Sequence, residues 1–114
     1  MSNVRVSVSP AVKYLPVYDH LDDYGVEAPE PQTWTFPKYA AAERLLKKVR
    51  DQIRSGERPA SLVEVAWQNE RFLQVYDVEV LVVYYRNDRG ALCWDVFSPD
   101  NPEGEPQGHG VELN

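Results

Sequence analysis

The stretch from Val78 to Ser98 restricts the fold more than any other part of the chain. It reads Val78-Glu79-Val80-Leu81-Val82-Val83-Tyr84-Tyr85-Arg86, then Asn87-Asp88-Arg89-Gly90, then Ala91-Leu92-Cys93-Trp94-Asp95-Val96-Phe97-Ser98. Two runs rich in β-branched and aromatic residues flank a short polar turn that ends in glycine, the pattern of a β-hairpin. Gly90 supplies the positive φ that such a loop needs, and Pro99 ends the second strand because it has no N–H to give to a ladder. Alternation puts Val78, Val80, Val82 and Tyr84 on one face and Leu81, Val83 and Tyr85 on the other. Both faces are apolar, so at least one must be covered by another part of the chain or by a partner. No residue in the hairpin spells out a reaction.

With 114 residues the chain makes a single domain over 1–114, large enough for one core. Three Trp, seven Tyr and three Phe are many for this length, and such side chains serve equally as core and as binding anchors. No apolar run is as long as a membrane span and no signal-peptide core follows Met1, so a cytoplasmic protein without membrane contact is expected. One cysteine, Cys93, cannot form an internal disulfide, which agrees with a reducing compartment.

Charge is unevenly spread. The net charge is −6, yet Lys38 to Arg58 holds seven Lys or Arg against three acids. Acids gather at Asp19, Asp22, Asp23, Glu27 and Glu30, and again at Asp100, Glu103, Glu105 and Glu112. Blocks of this kind are commonly solvated surface; the sharper alternatives are imitation of nucleic acid or contact with a basic partner.

Along the chain, Val4, Val6 and Val8 alternate with Arg5 and Ser7, which predicts a strand over 3–9 as an edge to the hairpin. Residues 9–36 form a proline-rich acidic arm whose Tyr14, Leu15, Val17, Tyr18, Leu21, Tyr24 and Val26 are too apolar for a solvated linker. The arm is expected to pack across a core, this one or a partner's. Pro37 suits a first helical turn, and Tyr39, Ala42, Leu46, Val49 and Ile53 then recur at helical spacing, with Gly56 placed to end the helix. Ser61-Leu62-Val63-Glu64 matches a capping box, which predicts a second helix over 62–73. The competing strand reading sets Val63, Val65 and Trp67 on one face. Pro99, Pro102 and Pro106 beside Gly104, Gly108 and Gly110 suggest a mobile tail over 99–114. The expected fold is α+β: one or two helices packed on a C-terminal hairpin or small antiparallel sheet.

Chemistry finds little support. The only histidines, His20 and His109, fall in segments expected to be irregular, and Cys93 in a strand reads as a small buried hydrophobe rather than a nucleophile. His20 with Asp19, Asp22 and Asp23 could ligate a metal, but no Cys-x-x-Cys, His-x-x-x-His or EF-hand spacing supports it. No glycine-rich phosphate loop is present, so neither cofactor nor metal is expected. The basic face of Arg44, Lys47, Lys48, Arg50 and Arg54 argues weakly for nucleic acid against a pI near 4.8.

Interaction is what remains. The tyrosine-rich acidic arm Tyr14-Leu15-Pro16-Val17-Tyr18-Asp19-His20-Leu21-Asp22-Asp23-Tyr24, the chain size and the helix-then-hairpin order resemble the QslA family of small quorum-sensing anti-activators. That resemblance implies a non-enzymatic regulator that binds a LuxR-type transcription factor and blocks its dimerisation and DNA binding. The rival classes are an acidic DNA mimic, such as an anti-CRISPR, and a toxin-neutralising immunity protein. Because large side chains exceed what one helix and one hairpin can cover, some aromatics are expected to be exposed as partner-binding anchors. The candidates are Trp34 and Phe36 before the helix and Tyr84 and Tyr85 at the end of the hairpin. A patch fused from them could also serve a homodimer.

Overall fold

Alternating apolar residues recur in five separate segments, and among the described residues they join one antiparallel sheet packed under one α-helix. The computed structural model describes residues 3–14, 31–69 and 75–112. Its strands are β1 (Asn3–Pro10), β2 (Gln32–Phe36), β3 (Ser61–Asn69), β4 (Val75–Arg86), β5 (Leu92–Phe97) and β6 (Gly108–Val111), and its helix is α1 (Tyr39–Ser55). The spatial order is β2-β1-β3-β4-β5-β6. β2 and β3 both run antiparallel to β1, which lies between them. They are therefore parallel to each other, and such a pair needs a long crossover connection; α1 is that crossover. From β3 onward the chain is a simple meander.

The helix forms where its apolar spacing places it, but it starts at Tyr39, so Pro37 lies before the N-cap and not in the first turn. Ala42, Leu46, Val49 and Ile53 are its buried residues, and they meet Val4, Val6 and Val8 of β1, Val63 and Val65 of β3 and Leu92 of β5 in the main core. Lys38, in extended conformation, is the N-cap and makes no side-chain capping bond. Gly56 ends the helix at φ 85° and Gly90 shapes the hairpin turn at φ 81°, conformations in which a Cβ is strained. The turn itself is closed by Asn87, whose N–H donates to the Ala91 carbonyl at 3.0 Å and whose side-chain oxygen accepts from the Ala91 N–H at 2.9 Å.

Four further expectations need correction. The predicted helix over 62–73 is instead β3 over its described part, residues 62–69; residues 70–74 lie outside the described residues. Ser61 does not cap: its hydroxyl donates to the Pro59 carbonyl at 2.8 Å, and Val63, Val65 and Trp67 face the helix as the alternation allows. Lying between β1 and β4, this segment gives its backbone groups to two neighbours, an advantage that local capping chemistry cannot match. Second, β1 is not an edge to the hairpin; it is an interior strand between β2 and β3. Third, the tail predicted to be mobile over 99–114 contains β6, paired with β5 from Cys93↔Val111 to Val96↔Gly108. The Gln107 N–H donates to the Val96 carbonyl at 2.7 Å and the Glu112 N–H to the Leu92 carbonyl at 2.9 Å, so both ends of β6 are tied down.

The fourth correction concerns Val78. The β3–β4 register slips between Val65 and Ala66, pairing Val65 with Val80 and Ala66 with Val78. This bulge leaves Glu79 unpaired in β4 and shifts Val78 off the face it would share with Val80. The opposite sheet face has its own smaller core of Ala11, Leu81, Val83 and Phe97, with Tyr14, Leu62 and Tyr85 packed against it. A 3-10 turn over Val12–Tyr14 lies across that face, in keeping with an arm that packs on the core. The rest of the arm through 30 lies outside the described residues. Among the described residues no helix is long and apolar enough to cross a membrane.

Candidate functional site

The four candidate anchors do not form one exposed patch. Tyr84 and Tyr85 are successive residues of β4 and point to opposite faces. Tyr84 packs on the main core, with the Arg50 guanidinium 6.0 Å from its ring centre. Burial disfavours the charge on Arg50, but its hydrogen bond to Tyr84 and its pairing with Glu43 (3.5 Å) outweigh that and raise its pKa. Tyr85 packs on the second core, its ring 5.1 Å from that of Tyr14. Trp34 and Phe36 lie on β2 and are also half-buried against the main core. All four are half-buried, because the sheet is larger than one hairpin and supplies cover that the sequence did not reveal.

What the fold does bring together is an aromatic corner. Cross-strand register sets Phe36 and Trp67 on either side of Val4, and Trp34 and Val65 on either side of Val6. Tyr39, in the first turn of α1, stacks on Trp67 with ring centres 5.9 Å apart and planes within 11°. Tyr39 is 47 % exposed, the largest exposure among the described large hydrophobics. Its hydrogen bond to Glu43 is the first cause of a raised hydroxyl pKa, so it stays neutral at physiological pH. The corner therefore joins Trp34, Phe36, Tyr39 and Trp67 where β2, β1, β3 and the start of α1 meet. From sequence, Tyr39 is legible only as part of the helix stripe, and Trp67 only as sharing a face with Val63 and Val65 in the competing strand reading. Their pairing depends on a crossover that no local pattern reveals.

A second constellation lies on the opposite face. Asp95 of β5 is 8 % exposed and accepts hydrogen bonds from two sides. The Tyr14 hydroxyl donates to it at 2.7 Å, and His109 Nδ1 stands 2.6 Å from its other oxygen. A carboxylate only accepts, so Nδ1 is the donor in this pair. The Tyr85 hydroxyl lies 3.4 Å from the same Nδ1. Burial first, and then the hydrogen bond to Asp95, push the Tyr14 hydroxyl far above its ordinary pKa; burial and then Asp95 raise Tyr85 as well. An acid in the middle of an otherwise apolar strand was the available sequence signal for this cluster, since a buried carboxylate needs partners. His109, expected in an irregular segment, is the residue of β6 paired with Asp95.

The Asp–His pair has the orientation of a general base, but no activated nucleophile accompanies it among the described residues. Both tyrosines are held neutral, and Cys93 is 2 % exposed with its thiol 3.8 Å from the Ala91 carbonyl. Beside the cluster an open groove of about 670 Å³ runs between the 10–14 segment and Pro102–Pro106, floored by Leu62, Val83 and Phe97. On α1, Arg54 is engaged by Glu112 through two bonds of 3.1 and 2.6 Å and by Asp51, so the basic face is partly neutralised. Among the described residues no group of His, Cys, Asp and Glu is arranged to hold a metal ion; the acidic cluster around His20 lies outside them. No family model, curated protein or solved structure matches this chain.

Proposed function

We propose that this chain is a non-enzymatic regulator that acts by binding another protein, with the aromatic corner as its anchor. The observation that carries the reading is Tyr39: a tyrosine stacked in place on Trp67, half open to solvent, with Phe36 across Val4 from that tryptophan and Trp34 on the same strand as Phe36. A pre-positioned aromatic loses little conformational freedom on binding, which is why Trp and Tyr dominate interface hot spots. Of the sequence candidates, Trp34 and Phe36 belong to this anchor; Tyr84 and Tyr85 are engaged with Arg50 and with Tyr14. The regulator acts in the manner of an anti-activator, and its partner is a LuxR-type transcription factor whose dimerisation it blocks.

The test is a gel shift with a purified LuxR-type receptor, its lactone and its DNA site, together with affinity capture from the native host. Adding the chain should abolish the shifted band at near-stoichiometric ratio. Tyr39→Ala and Phe36→Ala should each weaken binding by about 2 kcal/mol, roughly thirtyfold, with circular dichroism unchanged. Binding should persist at about 0.5 M salt, where the Debye length is only about 4 Å. An unaltered shift, with no transcription factor captured, overturns the receptor assignment. Binding that vanishes in salt and ignores both substitutions overturns the aromatic anchor in favour of an acidic mimic.

A further inference from the structure

β6 lies at the opposite edge of the sheet from β2, and among the described residues it pairs only with β5. It buries little of its own. Gly108 and Gly110 have no side chains, the His109 side chain is 53 % exposed and Val111 is 41 % exposed. No residue of 108–111 belongs to either core, so both cores are complete without it. What holds the strand is polar: its ladder with β5, the His109–Asp95 bond at 2.6 Å, and the two bonds from Arg54 to Glu112 just past its end. The segment before it is a turn with its own internal bonds, from the Asn101 N–H to the Ser98 carbonyl and from the Gly104 N–H to the Asn101 carbonyl. Yet the strand covers something. Gly110 lies so close to the Trp94 indole that a Cβ would overlap it, and β6 occupies the outer side of β5.

We propose that β6 is a releasable strap. It leaves β5 as a unit, its polar ties breaking together, while α1 and β1–β5 stay folded, and it thereby uncovers the edge of β5 and the indole of Trp94. Segments open separately from the rest of a fold when few buried apolar contacts bind them to it. β6 meets that condition. β1 and β3 do not, since Val4, Val6, Val8, Val63 and Val65 are each at most 3 % exposed. Release also strands no buried charge, because Asp95 keeps the Tyr14 hydroxyl bond at 2.7 Å when His109 departs. The ties set how rarely the strap opens. His109 binds a carboxylate that is 8 % exposed, and hydrogen bonds to a charged group are the strong ones. Arg54 and Glu112 are each 37 % exposed, where water weakens a pair. The inference does not rest on the regulator role, because Trp34 and Phe36 lie on β2 at the other edge.

The experiment is native-state hydrogen exchange by NMR on the full chain, at urea concentrations below the unfolding transition. The amides bonded between β5 and β6 should be protected, yet exchange at least about a hundredfold faster than those between β1 and β3, with little dependence on urea because little surface opens. Two variants separate the strap from the fold. Ile53, on α1, is 1 % exposed, and Ile53→Val should speed β1–β3 exchange about fivefold while leaving β5–β6 exchange unchanged. His109→Ala should speed both about tenfold, since a tie lost when the strap opens is lost in global unfolding too. Equal rates and equal urea dependence in the two ladders overturn the proposal, and so does Ile53→Val speeding both alike. Unprotected β5–β6 amides overturn it as well, because no closed strap then exists. If His109→Ala leaves β5–β6 exchange unchanged, the polar tie is not what holds the strand, and the strap as proposed is overturned.

Discussion

Replacing Leu46 with alanine tests whether α1 truly roofs the sheet. Leu46 is 5 % exposed and sits between Ala42 and Val49 on the buried stripe, above Val6 (0 %) and Val65 (3 %). The change removes the equivalent of about three methylenes, worth about 0.8 kcal/mol each, or ~2.4 kcal/mol of lost transfer free energy. Collapse cannot recover much of the void. The floor is a sheet held by ladders on both sides of β1 and β3, and a helix cannot drop onto one position without lifting elsewhere. A residual cavity therefore adds to the loss, for a total of about 3 kcal/mol, within the range of buried leucine truncations. Urea denaturation followed by tryptophan fluorescence measures it directly. With a slope near 1.5 kcal/mol per molar, the midpoint should fall by about 2 M. Arg44→Ala, on the exposed face of the same helix, should move it little. A Leu46→Ala cost below about 0.5 kcal/mol would refute the roofed-sheet arrangement.

Other consequences follow from close contacts on the sheet. A Cβ at Gly110 would strike the indole of Trp94, so Gly110→Ala should cost about 1–3 kcal/mol and speed amide exchange in residues 108–111 first. Tyr14 has a folded-state pKa raised far above its ordinary 10, so the fold retains a proton that the unfolded chain releases. Its contribution is complete below about pH 10 and falls as pH rises beyond that. In a pH series of urea melts, Tyr14→Phe should flatten the alkaline decline while losing stability at neutral pH with its bond to Asp95. An equally steep decline in the variant would refute the assignment.

The signals that survived from sequence to structure are those in which local and global demands agree. Hairpin and helix were both legible because alternation, turn chemistry at Asn87–Gly90, the Ala42–Ile53 stripe and Gly56 point the same way at every level. Ser61–Glu64 failed for the opposite reason. A capping box is worth about 1 kcal/mol locally, whereas Val63 and Val65, filling a slot between β1 and β4, each bury a side chain worth about 1.5–3 kcal/mol. The candidate site was legible in its residue types but not in its grouping. Trp34 and Phe36 drew notice as aromatics, but only the crossover puts Tyr39 on Trp67 next to them, and only β5–β6 pairing gives Asp95 its histidine.

By itself the sequence determined which segments alternate, which one is amphipathic at helical period, and where the chain must turn. These are properties of neighbours within a few residues, fixed by backbone sterics and side-chain periodicity. Tertiary structure alone decided strand order, the enlistment of a glycine-rich tail as β6, and the bulge that turns Val78 away from Val80. Those outcomes depend on which backbone groups find partners across the sheet. A strand of Gly108-His109-Gly110-Val111 has little propensity of its own. It forms because β5 offers an unpaired edge, Trp94 needs a residue without a side chain opposite it, and the buried carboxylate of Asp95 needs a donor.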